Sequence, residues 1–213
     1  MQIKERFHSC NDLGLWALDR GPSSCAHKTE YCSRKCYMNK LKVAYKGIAP
    51  RRLRDEEHWT TLDGATMRYW LARMATTNHG RSRFRGCTDG ENFSDVSDAY
   101  RWAGIIRSNP ATLFWLPTRG WRDSGLRTAI TRLVRTLPNS RAMASLDPSN
   151  TPEEVDALVS EGWSTMFFGD DTASLQPSPI KCAKTWRGIH GHCRVCKVGC
   201  FKSSRVDVWL KEH

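Results

Sequence analysis

Seven of the nine cysteines fall in two tight groups near opposite ends of the chain. Cys25, Cys32 and Cys36 lie in SSCAHKTEYCSRKCYMNK, and Cys182, Cys193, Cys196 and Cys200 in IKCAKTWRGIHGHCRVCKVGCFKSS. Thiolates separated by two, three and six residues can turn toward one point. The chemistry that normally gathers them there is a soft metal, either iron in an iron-sulfur cluster or zinc. A disulfide framework is the alternative, and it needs an oxidising compartment and usually a small secreted domain. The opening MQIKERFHSCNDLG lacks the apolar core of a signal peptide, and no run approaches the length of a membrane span. The expectation is therefore a cytoplasmic metalloprotein with reduced thiols and no membrane segment.

The spacings separate the two metals. The C-terminal group reads C-x10-C-x2-C-x3-C and the N-terminal group C-x6-C-x3-C-Y. Structural zinc sites prefer paired C-x2-C knuckles joined by a longer loop. Three close cysteines with a fourth further away are commoner around a [4Fe-4S] cube, whose irons need ligands at separate corners. One or two [4Fe-4S] clusters are thus the expected cofactor. Zinc is the alternative, kept in view by His190 and His192 in GIHGHC.

Both groups sit in basic sequence. Eight Lys or Arg residues and no acid lie between Cys32 and Asp55, and seven and no acid between Asp171 and Asp207, within a chain of formal charge +11. Cations beside thiolates keep them ionised and balance an anionic cluster. The same charge attracts a small anionic or phosphate-bearing ligand, or a nucleic acid. A solvated face that only adds solubility is the bland reading. The coincidence of charge with cysteine favours the first two.

What positions these groups is an alternation of strand and helix. Ala111 to Leu116 (ATLFWL) is uninterrupted apolar sequence, as a parallel strand covered on both faces requires. Leu126, Ile130, Leu133 and Leu137 then form one helical stripe. Ser140 to Leu146 reads as a strand, Thr151-Pro152-Glu153-Glu154 as a capping box with proline at the first helical position, and Trp163 to Phe168 as the next strand. Upstream, a strand is expected over Arg83 to Cys87, a helix over about 94–107, a helix over 57–77, and a first strand around Leu13 to Leu18. Five strands and four helical segments in alternation make an α/β fold of parallel βα units. At 213 residues the chain is short of the roughly 250 of an eight-unit barrel. The expected architecture is a single domain: an incomplete TIM-like barrel, or a short doubly wound sheet, over 12–171, with a cysteine-rich C-terminal extension over 172–213.

Ligands in such folds bind where the strands end. The rim residues here are Asp89 and Glu91 in TDGEN, Arg119 in PTRGW, Asp147 before Pro148, and Asp170 and Asp171 after Gly169. Asp89, Glu91, Arg119 and Asp147 are the candidate catalytic or substrate-lining residues. A turn or cap role is the competing reading of Asp147, and a solvated turn that of Asp170 and Asp171. Cys87 reads as a small buried residue and Cys10 as structural.

The segments SCAHKTEYCSRKCY, FRGCTDGENFSDVSDAYRWAGII, NPATLFWLPTRGW and LPNSRAMASLD, with CRVC followed by GCFK, resemble the phage gene product 88 family over about residues 23–202. Where that family usually has proline after the first cysteine and alanine after the Cys-Tyr pair, this chain has Ala26 and Met38. The resemblance implies a phage-encoded iron-sulfur protein in the host cytoplasm, with a barrel related in outline to radical S-adenosylmethionine enzymes. Such enzymes carry C-x3-C-x2-C. Cys32 and Cys36 match the first two positions, and Asn39 stands at the third, leaving Cys25 to supply a ligand from the other side. On that reading Cys25, Cys32, Cys36, Cys182, Cys193, Cys196 and Cys200 are metal ligands, and Tyr37 and Asn39 are cofactor contacts. S-adenosylmethionine then becomes a candidate, and the activity an oxidoreductase or transferase one. The competing function is a zinc-containing nucleic-acid-binding protein, weakened by the lack of zinc-finger spacing with a recognition helix.

Overall fold

The computed structural model describes residues 8–10, 15–74, 83–169, 179–182, 185–186, 193, 196, 200–201 and 205–211. Strand β1 (His8–Cys10) pairs antiparallel with β2 (Leu15–Ala17). Four helices follow: α1 (Glu30–Arg34), α2 (Tyr37–Ala44), α3 (Ile48–Thr61) and α4 (Gly64–Met74). Then β3 (Arg83–Arg85), α5 (Val96–Arg107), β4 (Leu113–Thr118), α6 (Ser124–Thr136), β5 (Ser140–Leu146), α7 (Pro152–Ser160) and β6 (Ser164–Phe168) alternate. Two short strands, β7 (Ile180–Lys181) and β8 (Asp207–Leu210), complete the sheet.

Strands β2 to β6 are parallel neighbours in chain order, β8 pairs with β6, and β7 lies outside β8. A doubly wound sheet reverses its strand order at a switch point. From β2 to β6 this sheet does not, and its seven parallel strands curl into a half-barrel.

Strand alternation sorts the side chains onto two faces. Phe84, Phe114, Leu116, Ala142, Ala144 and Phe167 pack with Trp59, Trp102, Ile105, Ile130 and Leu158 of the helices in the main core. Trp115, Met143, Met166 and Val208, at the intervening positions, form a second cluster on the concave face. The buried strand runs follow from this two-sided covering.

The capping box forms as read: Thr151 Oγ1 accepts from Glu154 N, and the Glu154 side chain accepts from Thr151 N. Other boundaries differ from expectation for local reasons. The ATLFWL run enters the sheet only at Leu113, because Pro110 to Thr112 are spent in a turn in which Thr112 N donates to Asn109 O. Asn139 Nδ2 ties that turn to the end of α5 by donating to the carbonyls of Ile106, Asn109 and Thr112.

The helix expected over 57–77 is two helices. Leu62 leaves the helical region with ψ near 123°, Asp63 accepts from Thr66 N to restart the chain, and Gly64 sits so close to α5 that a Cβ there would lie 2.3 Å from Ser108 Oγ. Strands β7 and β8 fall within the segment set apart as an extension, so the sheet continues beyond residue 171. Asp170, Asp171, His190 and His192 lie outside the described residues. Among the described residues, no helix is long and apolar enough to cross a membrane.

Candidate functional site

The carboxyl ends of β2, β3, β4 and β5 carry the polar residues. After β2 the chain passes through Asp19 and Arg20, makes a short 3-10 turn at Pro22–Ser24, and enters α1 and α2 with the first three cysteines. Thr29 caps α1 by accepting from Cys32 N at 2.8 Å, while its hydroxyl donates to Asp147 Oδ2 at 2.6 Å. One side chain thus starts the cysteine-bearing helix and ties it to the end of β5.

The TDGEN loop after β3 closes the opposite wall. Gly90 has φ +77°, and a Cβ there would lie 2.7 Å from both Arg20 O and Ser24 Oγ, so glycine is required by conformation and by space. Ser24 Oγ in turn accepts from Glu91 N at 2.8 Å.

Between these walls lies a pocket of about 230 Å³. Cys25, Cys32 and Cys36 line it together with Lys28, Asn39 and Lys42 on one side and Arg20, Arg52, Asp89 and Gly90 on the other. Burial pushes the Cys25 thiol up to about 11, with further contributions from the charges of Glu91, Cys32 and Cys36. Burial also raises Cys32, against the opposing charge of Arg119. The Cys36 charge contributes to the rise at both Cys25 and Cys32.

Behind the pocket is a buried ionic network. Arg20 bonds Glu56 at 2.7 Å and Asp98 at 2.6 Å and stacks over Trp59, with 4.9 Å to the ring centroid. Arg52 meets Asp19 at 2.9 Å, Asp55 at 2.8 Å, and Asp89. Buried carboxylates and guanidiniums survive only when paired in this way. Asp89, expected to face substrate, does border the pocket, but one oxygen is committed to Arg52; Oδ1 is buried with no hydrogen-bond partner among the described residues.

Glu91 is buried. Its carboxylate accepts from Arg119 N at 2.8 Å and Phe93 N at 3.2 Å, and burial raises its pKa above the ordinary carboxylate value despite those bonds. Glu91 thereby joins the ends of β3 and β4. Arg119 pairs with Asp147 at 2.7 Å. Asp147 is fully buried; burial pushes its pKa up, but bonds from Ser149 and Thr29 and the Arg119 charge outweigh that and hold it below the usual range. It is both a turn residue, accepting from Ser149 N at 2.9 Å, and the anchor of Arg119 and Thr29.

Asn39 is exposed, lines the pocket, and donates to Ser33 O at 3.2 Å. Tyr37 opens α2, and its side chain lies outside what is described. Cys87 is buried, with its thiol 3.5 Å from Glu91 O, and burial raises its pKa well above the ordinary value. The side chain of Cys10 is likewise outside the description.

The C-terminal group has different surroundings. Cys182 and Cys200 pack against the concave-face cluster of Trp115, Met143, Met166 and Val208. Phe201 meets the Trp115 ring edge-on at 5.7 Å. Arg83 donates to Cys193 O at 2.9 Å, and Arg85 lies over Trp115. Cys200 is pushed up to about 12 by burial, with further contributions from the charges of Cys193, Cys196 and Cys182.

Among the described residues, no three His, Cys, Asp or Glu side chains already stand in an arrangement that would hold a metal ion, and the described cysteines form no disulfide. The donor chemistry nonetheless suits a soft metal: three sulfurs on one pocket and four on another surface, each set with cations nearby. Arg20 and Arg52 are the pocket residues that sequence reading passed over. Their signal was position, since Arg20 lies three residues past the end of β2, and Arg52 sits at the end of the acid-free run, with Asp55 on its own helix and Asp19 and Asp89 supplied from other segments.

A family model described as gene product 88 matches residues 9–202. The Gene 88 protein of Mycobacterium phage L5 is 25% identical over 178 residues, covering 78% of this chain and 71% of that protein. No solved structure matches.

Proposed function

The chain belongs to the gene product 88 family, and on that premise we propose that it is an iron-sulfur protein with a ligand-binding site at the half-barrel rim. Cys25, Cys32 and Cys36 would hold a [4Fe-4S] group there, and Cys182, Cys193, Cys196 and Cys200 a second metal group against the concave face. The observation that carries the reading is the convergence of three half-buried thiols, Lys28, Lys42 and Asn39 on one pocket at the carboxyl ends of parallel strands. A three-thiolate iron-sulfur group supplies one-electron redox chemistry and an iron not ligated by protein sulfur.

The chain's own residues do the rest. Lys28 and Lys42 raise the local concentration of an anionic or phosphate-bearing ligand. Asp89 borders the same pocket and would orient the ligand there. Arg119, Asp147 and Thr29 hold α1 against the barrel and so fix Cys32. Asp89 is thus the rim acid proposed to touch ligand; Glu91, Arg119 and Asp147 position the loops. The cavity is below the roughly 300–1,000 Å³ of typical small-molecule sites, so it suits a compact ligand or one end of a longer one. S-adenosylmethionine is a candidate in the second manner. Action in the host-cell cytoplasm is part of the same proposal.

The test is anaerobic purification followed by iron, acid-labile sulfide and zinc analysis. Iron and sulfide in the wild type, reduced in a Cys25/Cys32/Cys36→Ser variant and separately in a Cys193/Cys196→Ala variant, support two sites. Zinc as the sole metal overturns the iron-sulfur reading and favours the zinc-containing nucleic-acid-binding alternative. A reduced protein whose electron paramagnetic resonance spectrum ignores every anion tried, and S-adenosylmethionine, overturns the ligand-binding part.

A further inference from the structure

Helix α6 buries Leu126, Ile130 and Leu133 in the main core, so the opposite side of the helix faces outward. On that outward side Arg127, Arg132, Arg135, Ser124 and Thr131 line a single groove of about 560 Å³, with Glu161 at the end of α7 closing it. The groove shares no residue with the rim pocket. Glu161 is the one acid that lines it, and it is paired with Arg127 at 2.8 Å. Arg132 and Arg135 are exposed, and their guanidiniums form no hydrogen bond or ion pair with any described residue. The hydroxyls of Ser124 and Thr131 are in the same condition, whereas those of Thr128 and Thr136 donate back to Ser124 O and Arg132 O, both at 2.9 Å. The groove therefore carries a surplus of hydrogen-bond donors and of positive charge.

We propose that this face of α6 binds the phosphate backbone of a nucleic-acid duplex without reading its sequence. No thiol takes part, so the proposal is independent of the metal reading above. Arginine and small hydroxyl side chains are the residue types that meet phosphate oxygens, and the guanidinium fork matches a phosphate with two parallel bonds. From Arg127 to Arg135 the helix advances about 12 Å, while each strand of a duplex places a charge about every 3.4 Å along its axis. The three arginines are thus spread over a length that offers each of them a phosphate. Other polyanionic or acidic partners fit less well. A protein interface needs an apolar centre and membrane binding an apolar face, and the groove is lined only by Ser, Thr, Arg and Glu. It also lacks an aromatic platform on which the bases of a single strand would stack.

The experiment measures fluorescence anisotropy of a labelled mixed-sequence DNA duplex with the full-length, anaerobically purified protein over a salt series. Wild type is compared with R132A/R135A, R132Q/R135Q and K46A/R54A. The last removes the same formal charge from exposed positions outside the groove. Alanine and glutamine are good helix formers at exposed positions, and denaturant unfolding checks that each variant folds. Wild-type affinity should fall linearly on a log-log plot against salt. Both arginine variants should bind about tenfold or more weakly at about 0.1 M salt, with a slope shallower by about two, one for each lost phosphate contact. K46A/R54A should keep the wild-type slope. A wild-type slope in either folded arginine variant overturns the site, and an equal loss in K46A/R54A reduces the binding to net charge and overturns it too. Tighter binding of a single strand than of the duplex rejects the duplex as the occupant. Failure to bind the duplex, with anionic phospholipid vesicles or an acidic peptide held instead in a manner that R132A/R135A abolishes, shows the partner class to be wrong.

Discussion

The rim thiols and the C-terminal thiols share a residue type and a basic sequence context, yet the fold gives them opposite settings. Cys25, Cys32 and Cys36 line a pocket backed by a buried network in which Arg20 and Arg52 face five carboxylates. Cys182 and Cys200 rest on apolar strand side chains, with Arg83 and Arg85 nearby. The first setting is polar, held by directional bonds between loops from several strands. The second is held by packing against Trp115 and Met143. A pocket that admits ligand needs charged groups fixed in place, and only paired burial fixes them. A group that merely closes a barrel face needs apolar area.

The sharpest way to break the comparison is at Arg52. Replacing it with Ala strands Asp19, Asp55 and Asp89 in buried surroundings and is expected to cost about 3–5 kcal/mol. Denaturant unfolding measures the loss, and thiol alkylation of the variant should rise at Cys25, Cys32 and Cys36 before it rises at Cys182 and Cys200. An equal rise at both would mean that the two regions are not independently supported. The counterpart is Met143→Ala, which opens a cavity under the C-terminal thiols, with an expected cost of about 2–5 kcal/mol. Here limited proteolysis should cut first within 179–211, with rim thiol alkylation unchanged.

The smallest effect is a pH dependence of the metal-free chain. Cys25 and Cys200 are raised to about 11 and about 12, above the roughly 8.5 of an unfolded cysteine. A thiol whose folded pKa is raised contributes stability that is fully present below its unfolded value and is lost as pH rises toward the folded one. Unfolding free energy should therefore be level below about pH 8 and decline from about pH 8.5 upward. Iodoacetamide modification followed by peptide mass analysis should reach half-maximal rate at a lower pH for Cys25 than for Cys200. The reverse order would show that the rim thiols are the more deeply shielded set.

Much of the fold was legible because strand and helix periodicities are local. ATLFWL, SRAMASL and the Thr151–Glu154 box announce β4, β5 and α7 by apolar runs and capping chemistry that act over a few residues. Strands β7 and β8 were not legible: with two and four residues, they exist because β6 offers an edge for pairing, and no local pattern reports that. Nor was the break between α3 and α4, where Gly64 serves a contact with Ser108 on another helix.

The same division runs through the site. Sequence by itself determined that seven of the thiols fall in two groups, because residue type and spacing are read directly from the chain. It also marked Asp89, Glu91, Arg119 and Asp147 as rim residues, because strand ends can be read from the runs before them. Only the tertiary structure decided that Asp147 clamps Thr29 and Arg119, that Glu91 accepts the amide of Arg119, and that Arg52 gathers Asp19, Asp55 and Asp89. It also decided that the two thiol groups meet different faces of the sheet. The physical reason is range: these bonds join residues up to 118 positions apart, and their partners exist only once the half-barrel has curled.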